Sequence, residues 1–108
     1  MQSDIQVTLA DAAARLSAER PFHAVFQRGD EVLVELYAPV GEDKQKPHER
    51  DELYIVVSGT GRFRRGDEVV PFGPGDLLYV PAHVAHRFEA FSEGFKVWVL
   101  FYGPSRSR

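Results

Sequence analysis

The stretch "PHERDELYIVVSGTG" sets His48 four residues before Glu52, a carboxylate that opens an apolar run. Buried carboxylates are rare unless they are paired or bound to a metal. Either Glu52 points to water, or it and His48 share a positive partner. Four steps along a straight strand span about 13 Å. Two ligands of one ion lie only about 3 Å apart when each bond is near 2 Å. The chain must therefore turn between the two residues or be helical there. The β-branched and aromatic run "LYIVV" disfavours a helix, so "ERD" reads as the turn, with His48 ending one strand and Glu52 beginning the next. Tyr54 and Val56 share the face of Glu52, and Leu53, Ile55 and Val57 share the other. Both faces are apolar, which predicts a strand buried on both sides. A metal ion is the simplest partner for a carboxylate there.

A second segment, "GPGDLLYVPAHVAHRF", supplies a third ligand. Strand alternation places His86 and Phe88 on one face and Arg87 on the other. Arg87 suits water, so His86 faces inward, and His83 stands at the rim. Imidazole and carboxylate are natural ligands for a transition metal in a chain without thiolates, and this chain has no cysteine. Competing chemistries find little support. There is no G-x-S-x-G, phosphate-binding loop or dinucleotide fingerprint. Ser58 and Ser92 sit in turn contexts with no activating base in view.

The elements that must position these residues are mostly strands. "TLADAAARLSAER" reads as a helix with Thr8 as N-cap, Asp11 near its positive end, and Leu9, Ala12, Ala13 and Leu16 on one stripe, stopped by Pro21. After it come about eight short strands joined by Gly and Pro turns, the pattern of a sandwich or small barrel. "FHAVFQ" and "EVLVELYA" flank a hairpin turn at Gly29, and "ELYIVVS" and "RFRR" flank "GTG". The chain divides into a helical segment over 1–20, a barrel over 21–104 and a disordered tail over 105–108. Its 108 residues suit one domain.

Net charge is −3, and "RFRR" is the one basic patch in the body of the chain, so no nucleic-acid partner is expected. No apolar run approaches the roughly 20 residues that span a bilayer. The N-terminus lacks a basic start and a long apolar core. The expectation is a cytoplasmic protein with no membrane partner.

The two segments resemble the two motifs of the cupin superfamily. In the first motif, G(X)5HXH(X)3-4E(X)6G, His48 falls on the second histidine, Glu52 on the glutamate and Gly59 on the final glycine. In the second, G(X)5PXG(X)2H(X)3N, Gly75, Pro81 and His86 match. The departures are Lys46 at the first histidine, Gly41 displaced by one, His83 in place of the glycine and Ala90 in place of the asparagine. The resemblance implies an all-β, cupin-type double-stranded β-helix (a jelly-roll barrel) behind a short N-terminal α-helix. It implies a divalent transition metal, Zn, Fe, Mn or Ni, on His48, Glu52 and His86. Dioxygenase- or isomerase-like chemistry on a small molecule would follow, with His83 and Tyr54 assisting proton transfer. The alternative is a non-catalytic ligand-binding or sensing barrel with a degenerate site. Small cupins are commonly homodimers, so a homodimer is expected.

Overall fold

A computed structural model describes residues 5–105 of the chain; the tail expected over 105–108 lies outside them except for Ser105. One short helix, α1 (Leu9–Ala13), precedes eight strands: β1 (Phe22–Arg28), β2 (Val32–Tyr37), β3 (Asp51–Ser58), β4 (Gly61–Arg65), β5 (Glu68–Phe72), β6 (Leu77–Val80), β7 (His86–Glu89) and β8 (Lys96–Tyr102). They form two antiparallel sheets, ordered β1-β2-β8-β3-β6 and β5-β4-β7. This is the all-β jelly-roll barrel with a short N-terminal helix that the strand pattern and the motifs imply.

The helix is shorter than its sequence stripe predicts. Thr8 caps it as expected, its hydroxyl accepting from the Asp11 N–H at 3.1 Å. It ends after Ala13, and Ala12 is its one buried residue. Half of the stripe is alanine and Leu9 is exposed, so it buries too little surface to hold a longer helix against the barrel.

Register across the larger sheet decides what faces inside. Glu52 pairs with Phe101, Tyr54 with Val99 and Val56 with Val97, while β8 in turn sets Phe101 beside Leu33 and Val99 beside Glu35. Directly paired residues share a face, so the inner surface carries Leu33, Phe101 and Glu52 in one row and Glu35, Val99 and Tyr54 in the next. The other face of β3 is not buried: Ile55 is exposed, and Leu53 and Val57 are half-buried. Strand β3 lines the inside of the barrel on one face only, and nothing among the described residues covers the other completely.

The core is aromatic. Phe88 lies 4.8 Å from Phe63, 4.8 Å from Phe95 and 5.5 Å from Phe72, ring centre to ring centre. Gly59 admits Phe95 to this cluster. A Cβ there would stand 2.7 Å from the Phe95 Cα, and its φ of 90° also excludes a side chain. Tyr54 closes the cluster, its ring 4.9 Å from that of Phe88.

Candidate metal centre

Three residues distant in sequence meet inside the barrel. One ligand atom each from His48, Glu52 and His86 lies within 4.8 Å of the others. Glu52 stands second in β3 and His86 first in β7, each pointing inward by alternation. His48 does not end a strand. It sits in the irregular stretch between β2 and β3, and the bend at Glu49 and Arg50 brings it back over Glu52. The His83 N–H donates to the His48 carbonyl at 2.7 Å, tying this stretch to the loop before β7.

The Glu52 carboxylate is almost wholly buried, at 1% exposure. Its Oε1 lies 2.9 Å from His86 Nε2 and 3.9 Å from His48 Nε2. The His86 Nδ1 lies 2.9 Å from the Val84 carbonyl, which can only accept, so Nδ1 carries the hydrogen. A neutral His86 then turns the Nε2 lone pair toward a carboxylate oxygen. Both Glu52 oxygens and His86 Nε2 are buried without a hydrogen-bond partner. Two acceptors held this close need a proton or a cation between them. Two imidazoles and a carboxylate are a donor set suited to a divalent transition metal, so the residues present fit the ion.

The two histidines are displaced in opposite directions. Burial pushes the His48 imidazole down; Glu52 opposes that and His86 adds to it. Burial also disfavours charge on His86, but the Glu52 carboxylate and the Val84 carbonyl outweigh it and raise the pKa.

A cavity of about 540 Å³ opens beside the group, lined in part by Phe22, Leu33, Val99, Phe101, His48 and Gln45. Its charged wall residues are Glu35, Lys44, Glu49 and Arg50. Burial first, and then the charge of Glu52, raise the pKa of Glu35. Sequence reading passed over Glu35 because both faces of β2 are largely apolar, and its outward or inward direction depends on register alone. Residues 39–47, "PVGEDKQKP", are largely polar and have no period that would mark an interior residue. There, Asp43 is 1% exposed and accepts from the Tyr37 hydroxyl at 2.6 Å and the Phe88 N–H at 2.8 Å.

Of the other expected residues, Lys46 is exposed and absent from the cavity wall. His83 and Tyr54 are not on the cavity wall either. Tyr54 is fully buried, with its hydroxyl donating to Gln45 Oε1 at 3.0 Å. His83 has φ 68° and Ala90 φ 49°, and they are the only non-glycine residues in left-handed backbone among those described. These are the two positions where the second motif carries glycine and asparagine, the residues that tolerate that conformation.

Comparisons with known proteins agree with this architecture. The chain is 40% identical over 98 residues to the uncharacterized protein SCO3923 of Streptomyces coelicolor, covering 89% of this chain and 93% of that protein. Its fold resembles a cupin-2 domain containing protein from Shewanella frigidimarina, with TM-score 0.71, 19% identity, and coverage of 90% and 94% of the two chains. It also resembles the DMSP lyase DddQ from Ruegeria pomeroyi, with TM-score 0.67 and 22% identity, covering 95% of this chain but 57% of that one. The family model described as Cupin domain matches residues 33–102, which include His48, Glu52 and His86, and the chain belongs to that family.

Proposed function

We propose that the protein is a metal-dependent enzyme acting on a small molecule bound in the cavity beside His48. One observation carries this reading: Glu52 Oε1 and His86 Nε2 meet 2.9 Å apart in the interior, where they need a proton or a cation between them, with His48 Nε2 3.9 Å from the same oxygen. An arrangement that costs stability is retained where it serves a site. His48, Glu52 and His86 would hold a divalent transition metal. The ion would supply Lewis-acid polarisation of a substrate oxygen, or one-electron chemistry if it is redox-active.

The chain's own residues support the rest. Phe22, Leu33, Val99 and Phe101 offer an apolar body to the substrate, and Lys44 and Arg50 offer cationic groups for an anionic end. Glu35 is the proton-transfer group in this reading. It lies on the cavity wall, and its raised pKa brings it closer to neutral pH. Tyr54 acts as a positioning residue through Gln45, and His83 holds the His48 stretch in place. The exposed apolar side chains of Ile55, Leu77 and Tyr79 on β3 and β6 support a homodimer as part of the same proposal. No helix among the described residues is long and apolar enough to cross a membrane.

The test is elemental analysis of untagged protein beside His48→Ala and His86→Ala. The expected result is about one equivalent of a transition metal in the parent and loss in both variants. A parent that stays metal-free after reloading with Fe, Mn, Ni and Zn would return the protein to a metal-free ligand-binding barrel.

A further inference from the structure

We propose that Gln45 is a fourth ligand of this metal site, through its side-chain carbonyl oxygen; the inference rests on the three-residue site proposed above. Gln45 Oε1 lies 3.3 Å from His48 Nε2. Two ligands bonded at about 2.1 Å to one ion, at angles of 90–110°, stand about 3.0–3.4 Å apart. The Gln45–His48 spacing therefore already matches that of neighbouring ligands. The spacing between Glu52 Oε1 and His86 Nε2, 2.9 Å, is close to the same range.

The amide cannot turn its nitrogen to the site. Gln45 Nε2 donates to Asp43 Oδ2 at 3.1 Å, and a carboxylate only accepts. Asp43 is itself fixed by the Tyr37 hydroxyl, the Gln45 N–H and the Phe88 N–H. That anchor leaves Oε1 facing His48 and the Tyr54 hydroxyl. The Tyr54 O–H occupies one lone pair of Oε1; the second accepts from His48 Nε2–H in the metal-free protein, and a cation would take the place of that proton between the two. Tyr54 thereby stands to Gln45 as a hydrogen-bonding outer partner stands to a metal ligand, fixing its direction.

This placement also accounts for Lys46. The side chain at the first motif histidine is exposed, while its neighbour Gln45 is turned inward and half-buried against His48. An irregular loop has no alternation to decide which residue faces inside. Here the Asp43 anchor selects Gln45. A neutral amide oxygen is a harder and weaker donor than an imidazole, so the set of two imidazoles, one carboxylate and one amide oxygen shifts preference away from soft ions.

The experiment is Co(II) and Zn(II) binding, by competition with a chromogenic chelator, together with the visible absorption of the Co(II) form. It compares the parent with His86→Ala, Gln45→Leu and Gln45→His. The expected result is a loss of at least about 10-fold in affinity for Gln45→Leu, with a changed Co(II) band, and recovery of affinity in Gln45→His. Thermal melts of the metal-free variants show whether each folds. A Gln45→Leu protein that folds and keeps the parent's affinity and Co(II) spectrum would overturn Gln45 as a ligand and leave the three-residue site standing. Weakened binding in Gln45→Leu that Gln45→His does not restore, with the Co(II) band unchanged, would assign Gln45 to loop support and also overturn it. A parent that takes up neither ion would remove the three-residue site and Gln45 with it.

Discussion

The interior of the barrel has two regions built from the same strands. Around Phe88, the rings of Phe63, Phe72 and Phe95 pack edge to face or tilted, with only carbon against carbon. Around Glu52, the same sheets bury a carboxylate and an imidazole whose facing atoms stand 2.9 Å apart and need a proton or a cation between them. Tyr54 belongs to both regions, its ring against Phe88 and its hydroxyl on Gln45. The first region gains free energy from each buried ring; the second gives some back. In the proposed reading, stability and function occupy separate halves of one core, and substitutions should tell them apart by sign.

The largest effect should come from the aromatic half. Phe88→Ala should lower unfolding free energy by about 3–5 kcal/mol in urea titrations, through lost transfer energy and a residual cavity. A loss below 1 kcal/mol would mean that the cluster is not the stabilising half. The polar half should respond in the opposite direction. Replacing both partners, Glu52→Leu with His86→Leu, should raise the stability of metal-free protein by about 1–4 kcal/mol and abolish metal uptake. A destabilised double variant would show that the pair is satisfied in solution without an ion.

Backbone relief should be smaller. Ala90→Gly removes a left-handed alanine at φ 49° and should gain about 0.5–1 kcal/mol. That substitution leaves the metal group untouched, so metal content should not change. An equal or lower urea midpoint would show that the position is not strained.

The smallest effect is a pH slope, and it sharpens the contrast within the polar half. The folded pKa of His86 is raised, so its contribution to metal-free stability is full below about 6.5 and is lost as pH rises through the raised value. The folded pKa of His48 is lowered, so its contribution is present above about 6.5 and is lost as pH falls through the lowered value. The two slopes oppose each other in the parent. His48→Gln should unmask stability that declines with rising pH, and His86→Gln the reverse. Urea midpoints between about pH 5 and 8 would show this, and parallel profiles would refute the assignment.

Much of this architecture was legible as alternation. "DELYIVVSG" and "AHRFEAF" disclose Glu52 and His86 as inward residues because their neighbours on the same face are apolar and Arg87 is not. What alternation cannot reveal is how far a face is covered. Ile55 looks as buried as Val56 in sequence, yet it lies on the outside of β3. The helix was overextended because spacing registers a stripe without weighing how little surface alanine buries. Asp43 and Gln45 were invisible for a different reason: an irregular loop has no period, and only contacts with Tyr37, Phe88 and Tyr54 identify them as interior. Glu35 was hidden by a strand whose two faces read alike.

The bond from the His83 N–H to the His48 carbonyl bears on how fast the site exchanges its contents. Glu52 and His86 ride on strands and cannot leave without breaking a sheet, whereas His48 rides on an irregular stretch clasped to the neighbouring loop. Breathing of that stretch would withdraw His48 and Gln45 together while the other two stay. If the proposed ion binds there, its residence time would be governed by a local opening rather than by the strength of any one coordinate bond. The His83 amide, whose protection against deuterium exchange depends on the same clasp, is the natural clock for that opening.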